Sequence, residues 1–339
     1  MGIDLSDLVE PRPCSLKDFK ARAIAIDGYN ALYQFLSSIR QADGSPLMDS
    51  KGRITSHLTG TFHRTANLLE AGIKPVYVFD GKPNILKAGT LQVRRQRKEK
   101  AQEQWEEALK AGDMETARTK AQQTSKLTRD MVKQAKDLLN YMGVPWVDAE
   151  EDGEAQASYM AQKGEVYAAA SQDYDSLLFG APLLVRNLTL SGRRKMPRRN
   201  VYVDVVPEIL KLSEALGALG ITREQLVDMG VLMGTDFNPG VKGIGPKKAL
   251  KLIKEFGSGE AAIKAKELDV PSFHNVRKIF LEPKITDDYT LEWGTMDREK
   301  IERFLCDDFE FSGQRLQSAM DKIAEGQKTR AQKSLDSWF

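Results

Sequence analysis

The chain has 339 residues, 41% of them hydrophobic, which fits two ordinary domains or one large α/β core with additions and rules out global disorder. No apolar run reaches the roughly 18 residues of a membrane span, and no basic-then-apolar leader opens the chain, so neither a membrane span nor secretion is expected. Two cysteines, Cys14 and Cys306, exclude a disulfide framework or cysteine-built zinc site and fit a reducing compartment; His57, His63 and His274 show no metal-ligand spacing; and the 50 basic and 48 acidic residues (net +2) are unevenly spread.

Ser15-Leu16-Lys17-Asp18 has the form of a helix-capping start. Ala23-Ile24-Ala25-Ile26-Asp27-Gly28 is an apolar run closed by an acid and a glycine, and helical spacing follows over Ile54 to Glu70. Lys74 to Gly81 repeats the first design, and Val166 to Asp173 repeats it again. With Val144 to Val147 and Leu184 to Leu188, these runs predict buried strands of a mostly parallel sheet flanked by helices. Lys82 to Asn140, rich in Lys, Arg, Glu and Gln, reads as long exposed helices with a strongly basic first half. From Glu224 the pattern turns helical, and from Gly326 a polar, mobile tail is expected.

In an open parallel sheet, ligands bind beyond the carboxyl ends of the strands. Asp27, Asp80 and Asp173 each close an apolar run, so all three are expected in one crevice. Asp175, two residues after Asp173, falls on the same side if the chain is still extended. Glu150 to Ala155 adds acids at a helix start, with Glu150 and Glu151 read as ordinary helix-start acids. Any one of these acids alone is most simply a cap or turn residue. Together they would repel one another unless cations neutralised them, and all-oxygen ligands favour Mg²⁺ or Mn²⁺ over zinc. Two such ions about 4 Å apart are a recurrent device for phosphodiester hydrolysis.

Gly240-Val241-Lys242-Gly243-Ile244-Gly245-Pro246-Lys247-Lys248 is a glycine turn opening a helix with Pro near its first position. Its free N–H groups suit a phosphate oxygen, and Lys242, Lys247 and Lys248 suit backbone contacts without base readout. No GK[ST] follows at Walker spacing. Lys87 and Arg94, seven residues apart, would share one helix face roughly 10 Å apart along the axis. Such a pair could clamp a phosphate, although Arg95, Arg97 and Lys98 are equally basic.

The blocks AIDGYNALYQFL, TSHLTGTFHRT, GIKPVYVFDGKP, GEAQASYMA, SQDYDSLLFGAP, GVKGIGPKKAL and the tail QKSLDSWF cover nearly the whole chain in order. They resemble the archaeal and eukaryotic flap endonuclease family, structure-specific 5′-nucleases of the XPG/Rad superfamily. The resemblance implies a PIN-like 5′-nuclease core over residues 1–225 with a helical gateway and cap at about 82–137. A helix–hairpin–helix region with C-terminal helices would span 226–327, and a mobile clamp-binding tail 328–339. Two Mg²⁺ ions, or Mn²⁺, would lie among Asp27, Asp80, Asp152, Glu154, Asp173, Asp175 and Asp236. The family usually has Glu where this chain has Asp152, one methylene shorter. Lys87 and Arg94 match the family's catalytic pair. Tyr33 matches an aromatic that stacks near the scissile nucleotide; the plain alternative is a core tyrosine on an apolar helix. Arg40 and Arg64 match DNA-contacting positions. Gly243 and Gly245, with the three lysines, belong to the element that grips duplex DNA and binds K⁺. Met1 to Ser6 fits a myristoylation pattern, but the resemblance places Gly2 buried near the active site. Gln332, Leu335, Trp338 and Phe339 match the peptide that docks on the replication sliding clamp.

The implied activity is cleavage of DNA at the base of a 5′ flap, with 5′–3′ exonuclease activity, in Okazaki fragment maturation and repair. A monomer in an archaeal cytoplasm, or in a nucleus if eukaryotic, is expected. Alternatives are a superfamily relative (excision-repair nuclease, junction resolvase or 5′ exonuclease), a non-catalytic clamp adaptor, or a small RNA nuclease. The acids argue against the adaptor, and the glycine hairpin and tail against the RNA nuclease.

Overall fold

The computed structural model describes residues 2–41, 43–190, 193–195 and 202–336. Its strands are β1 (Arg12–Pro13), β2 (Ala23–Asp27), β3 (Lys74–Phe79), β4 (Trp146–Asp148), β5 (Ala168–Ala170), β6 (Leu183–Arg186), β7 (Arg193–Lys195), β8 (Tyr202–Asp204) and β9 (Glu208–Lys211). Seven form one sheet in the order β1-β9-β6-β5-β2-β3-β4, and β7 and β8 form a separate antiparallel ribbon. The neighbours from β6 through β5, β2 and β3 to β4 are parallel, and β9 and β1 add an antiparallel edge.

Strand alternation explains why this sheet is covered on both faces. In β2, Ile24 and Ile26 enter one hydrophobic cluster and Ala25 enters another. In β3, Tyr77 and Phe79 face the first cluster while Val76 and Val78 face the second. Helices α1 (Gly28–Ser38), α2 (Ser56–Ala71), α3 (Ala88–Lys110), α4 (Met114–Ala121), α5 (Arg129–Tyr141), α6 (Gly153–Gln162) and α7 (Asp175–Leu178) connect the strands up to β6. The first cluster draws on α1, α2 and α5, and the second on α6. Long polar α3 stands out from this core: 14 of its 23 residues are charged or amide-bearing, and Ala101 and Ala108 are the buried ones among its described side chains.

The remaining helices are α8 (Leu212–Leu219), α9 (Arg223–Met233), α10 (Pro246–Phe256), α11 (Gly259–Lys266), α12 (Phe273–Leu281), α13 (Arg298–Glu302) and α14 (Gly313–Asp336). Those from α9 to α12 share a third cluster with Ile3 and Leu5 of the N-terminal segment, which fixes that segment beside the sheet. Between α12 and α13 the chain crosses the α6 side. Gln156 exchanges two hydrogen bonds with Thr286, and the Trp293 indole donates to the Pro75 carbonyl at 2.9 Å.

One expectation needs correcting. Asp175 is not a continuation of extended chain; it is the first residue of α7, and β5 ends at Ala170. The polar stretch from Gly326 lies on the α14 backbone as far as Asp336. Among the described residues, no helix is long and apolar enough to cross a membrane.

Candidate active site at the carboxyl edge of the sheet

β2 lies between β5 and β3, so the chain leaves it in opposite directions on its two sides. The crevice at such a switch point is where an open α/β sheet exposes loop ends to a ligand. Asp27 ends β2, Asp80 follows β3, and Asp173 lies in the loop after β5. Asp27 also caps α1 by accepting from the Asn30 N–H at 2.9 Å. Asp152 caps α6, accepting from the backbone N–H groups of Glu154 and Ala155 at 2.9 and 3.3 Å. The Gly153 N–H donates to Asp80 Oδ1 at 2.7 Å, which ties the start of α6 to the end of β3.

These carboxyls are buried together, and their proton affinities record it. Burial first, then the charge of Asp80, raises Asp27 well above the usual carboxylate range. Burial and the charges of Asp175 and Asp27 do the same for Glu154. Burial, helped by Asp152, pushes Asp80 up to about 6; burial, helped by Asp173, pushes Asp175 up to about 8. Burial also raises Asp173. Asp236 behaves oppositely. Burial would raise it, but nearby cations, Arg94 and Lys87 among them, pull it below its ordinary value.

Two cations tie up the rim of the cluster. Lys87 Nζ donates to Asp152 Oδ2 at 2.6 Å, and Arg94 Nη2 lies 2.6 Å from both oxygens of Asp236. Burial would lower Lys87, yet Asp152, Asp80 and Asp236 hold it above its ordinary range. Asp236 comes from outside the sheet, and the turn after α9 brings it to the same crevice. All seven candidate carboxylates and both candidate cations therefore meet at one edge of the sheet.

The donor set suits hard divalent cations. It is all carboxylate oxygen, it is buried, and its own repulsion makes it hold protons that a cation would displace. Among the described residues no group of three acids is poised to close on an ion as it stands, and the Lys87 and Arg94 ion pairs occupy two of the carboxylates.

Several parts of the site escaped the sequence reading. The Ile3 N–H donates to Asp175 Oδ1 at 2.7 Å. Beside it lies Gly2, which was expected near the site: a Cβ there would lie 2.6 Å from the same oxygen and 2.9 Å from Asp173 Cβ, so only glycine lets the chain pass here. The Ser171 hydroxyl donates to Glu154 Oε1, with the Ser176 hydroxyl 3.4 Å from the same atom. Asn30 Nδ2 donates to Asp173 Oδ2 at 3.3 Å. Only Asn30 left a signal, three residues after an acid that ends a strand. Glu151 also departs from its expected role: it accepts from Asn84 and Lys284 instead of serving the helix start.

The other candidate residues are spread more widely. Tyr33 on α1 is 38% exposed, so it is not a core tyrosine, and Lys98 Nζ lies 4.5 Å from its ring centroid. The Arg40 guanidinium bonds inward, to the carbonyls of Leu36 and Gly44 and the Ser125 hydroxyl. Arg64 on α2 is half-buried. The glycine hairpin joins α9 to α10: Gly240 and Gly243 adopt left-handed backbone, Gly245 caps α10, and Lys248 Nζ donates to the Gly243 carbonyl at 2.9 Å. No atom crowds the Cβ positions of Gly243 and Gly245, so their backbone faces open space, and Lys242 and Lys247 are exposed beside it. Gln332 and Leu335 lie on the α14 backbone, whereas Trp338 and Phe339 lie outside the described residues.

Comparison with known proteins decides the family. Residues 1–101 match the XPG N-terminal domain and residues 143–236 the XPG I-region. The chain is 52% identical to the flap endonuclease 1 of Pyrococcus abyssi, covering 100% of this chain and 98% of that one. The chain belongs to the flap endonuclease 1 family. The relative from Thermofilum pendens is also 52% identical, over 100% of this chain and 99% of its own length. The solved flap endonuclease-1 from Methanococcus jannaschii superposes with a TM-score of 0.76 at 44% identity, covering 97% of this chain and 100% of that one. Full-length agreement with flap endonuclease 1 relatives sets aside the adaptor and RNA nuclease readings.

Proposed function

We propose that this flap endonuclease 1 family member hydrolyses one DNA phosphodiester at the base of a 5′ flap, and trims 5′ ends as an exonuclease, in Okazaki fragment maturation and repair. One observation carries the reading: seven carboxylates at the sheet edge, two of them paired to Lys87 and Arg94, in a chain whose full length matches flap endonucleases.

Asp27, Asp80, Asp152, Glu154, Asp173, Asp175 and Asp236 would hold two Mg²⁺ or Mn²⁺ ions. The chemistry such ions supply when bound is neutralisation of phosphate charge and activation of water. Lys87 and Arg94 have a second task. An incoming phosphodiester competes with Asp152 and Asp236 for them, so the two cations turn to its oxygens and stabilise charge that develops there. Ile3 N–H and Ser171 hold Asp175 and Glu154 in place, which keeps carboxylates from rotating apart under their own repulsion.

The helices of residues 82–137 would form the gateway for the 5′ strand, with Tyr33 at its base. The hairpin between α9 and α10 would offer backbone N–H groups and Lys242, Lys247 and Lys248 to the phosphates of the duplex, and its carbonyl-rich turn would hold a K⁺ ion. Arg40 and Arg64 would support the DNA path. Such contacts follow the shape of branched DNA and not its sequence. The C-terminal residues Gln332, Leu335, Trp338 and Phe339 would dock on the replication sliding clamp, the enzyme itself acting as a monomer.

Cleavage of a labelled double-flap DNA in Mg²⁺ tests the reading, with Asp80→Ala and Asp175→Ala beside the native chain. One cut near the flap junction, absent in both variants, is expected. Tight duplex binding without any cut would overturn it, and cutting only at an internal junction would favour the resolvase-type relatives.

A further inference from the structure

Two segments run side by side at the carboxylate cluster: residues 80–87, which lead from β3 to α3, and residues 150–153, which lead into α6. Bonds tie them at successive positions. The Gly153 N–H donates to Asp80, the Gly81 N–H to the Glu151 carbonyl at 2.9 Å, and the Lys82 N–H to the Glu150 carbonyl at 3.0 Å. The approach is close, since a Cβ on Gly81 would run into the carbonyl oxygens of Ala149 and Glu150. Beyond Lys82, side chains make the ties. Asn84 Nδ2 donates to Glu151 Oε2 at 2.9 Å, and Lys87 Nζ to Asp152 Oδ2 at 2.6 Å.

Lys87 closes a single 3₁₀ turn, Ile85–Lys87, that runs directly into α3. Packing does little to fix this turn. Leu86 reaches the third hydrophobic cluster, but Ile85 is 87% exposed, and a cavity of about 350 Å³ lies between the turn and Phe179, Phe237 and Ile279. An element with so few buried apolar contacts moves unless polar tethers hold it. One tether is Lys87 itself, on Asp152. The reaction gives that one up, because Lys87 turns from Asp152 to the phosphate. The other is Asn84, whose side chain is bonded at both ends: Nδ2 to Glu151, and Oδ1 to the Leu86 N–H at 3.0 Å, which caps the turn. The Lys87 N–H also donates to the Asn84 carbonyl at 3.0 Å. Glu151 is fixed in its turn by Lys284, from the segment after α12, which binds its other oxygen.

We propose that Glu151, acting through Asn84, is a positioning residue for Lys87: it keeps the turn in place against the carboxylates once Lys87 has left Asp152. The inference rests on the flap nuclease reading and on the part of Lys87 in it. Two effects of Glu151 oppose each other here. As a tether it favours the reaction, whereas its negative charge acts on Lys87 and would hold the cation back. Lys284 stands 2.5 Å from that charge and offsets it, so the tether decides the sign, and removing Glu151 slows the cut. A group misplaced by about 1 Å can cost on the order of 10²-fold in rate.

The test is single-turnover cleavage of a double-flap DNA in Mg²⁺, with its dissociation constant read by fluorescence anisotropy and folding checked by melting curves. Glu151→Ala is expected to slow the cut about 10- to 100-fold while the dissociation constant stays within about 2-fold of native. Glu151→Gln keeps an oxygen for Asn84 and should restore the rate to within about 3-fold. Asn84→Ala severs the same tether from the other side; it should show the same loss, and it serves where Glu151→Ala folds poorly. In a Lys87→Ala background, Glu151→Ala should cost less than about 2-fold, because the group it positions is gone. The same factor lost in both backgrounds would overturn the inference and make Glu151 a support of the fold alone. A native rate in Glu151→Ala, or a glutamine variant as slow as the alanine one, would overturn it too. Lys87→Ala cutting at the native rate would remove the role on which the inference rests and leave the flap nuclease reading intact. Failure of the native chain to cut the flap would sink that reading as well.

Discussion

Arg94 reaches from α3 to Asp236, with one guanidinium nitrogen 2.6 Å from both carboxylate oxygens. The contact joins α3 to the turn after α9. If Arg94 moves to the phosphate as the bond breaks, its removal costs the chemical step more than it costs binding. Arg94→Ala should slow single-turnover cleavage by about 10²–10³-fold, with the flap dissociation constant changed far less. Arg94→Lys should fall between, because it keeps the charge and loses the fork. An equal loss in binding and rate would show that Arg94 only anchors the strand.

The buried carboxyls make a second prediction, through stability. Asp80 is raised to about 6 and Asp175 to about 8, in each case chiefly by burial. A raised carboxyl holds a proton that the unfolded chain has already released. Its stabilising contribution is therefore complete below the ordinary carboxyl range and is lost as pH rises through about 6 and then about 8. The metal-free protein should melt lower in mild alkali than in mild acid. Asp175→Asn keeps an acceptor for the Ile3 N–H and removes the titration. In chelator it should melt several degrees above the native chain at about pH 9, at roughly 2–4 °C per kcal/mol, and should not cut DNA. Scanning calorimetry across that range is the check; a constant gap between the two proteins would refute burial as the cause.

The sequence showed those parts of the site that come from strand ends. A strand buried on both faces is a continuous apolar run, so an acid that closes it stands out, as Asp27 and Asp80 do. Asp175 was placed by the wrong geometry, because two loop residues, Ser171 and Gln172, separate β5 from Asp173, and after Tyr174 the chain turns into α7 at Asp175 itself. The antiparallel edge of β9 and β1 had no signal, since Glu208–Lys211 and Arg12–Pro13 are short and half polar. Backbone donors such as Ile3 N–H are invisible in any sequence, because every residue but proline has one. The α14 backbone carries through the polar stretch to Asp336 because Gln, Lys, Arg and Ala are polar or small yet good helix formers.

Asp152 does two jobs that substitution can separate. One oxygen caps α6, and the other pairs with Lys87. Asp152→Asn keeps a capping acceptor, whereas Asp152→Ala loses it at about 0.5–2 kcal/mol. Both release Lys87. Cleavage should therefore fall in both variants, while the urea midpoint should fall only in the alanine variant. A stable alanine variant would mean that the Gly153 N–H bond to Asp80 suffices to start the helix.

The hairpin predicts a salt dependence. Lys242 and Lys247 are exposed beside a turn whose glycine backbone lies open. Lys248 differs, because its ammonium is already bound to the Gly243 carbonyl and shapes the turn. If these two exposed lysines neutralise duplex phosphates, Lys247 leaving its 4.0 Å pairing with Asp7, each contributes about 0.9 to the slope of log K against log salt. Lys242→Ala and Lys247→Ala should each lower that slope by nearly one and weaken binding to every duplex sequence alike. Lys248→Ala should also disturb the turn, so its loss of affinity should persist at high salt, where the other two variants converge on the native chain. Fluorescence anisotropy over a salt series distinguishes these, and an unchanged slope in all three would place the duplex elsewhere on the molecule.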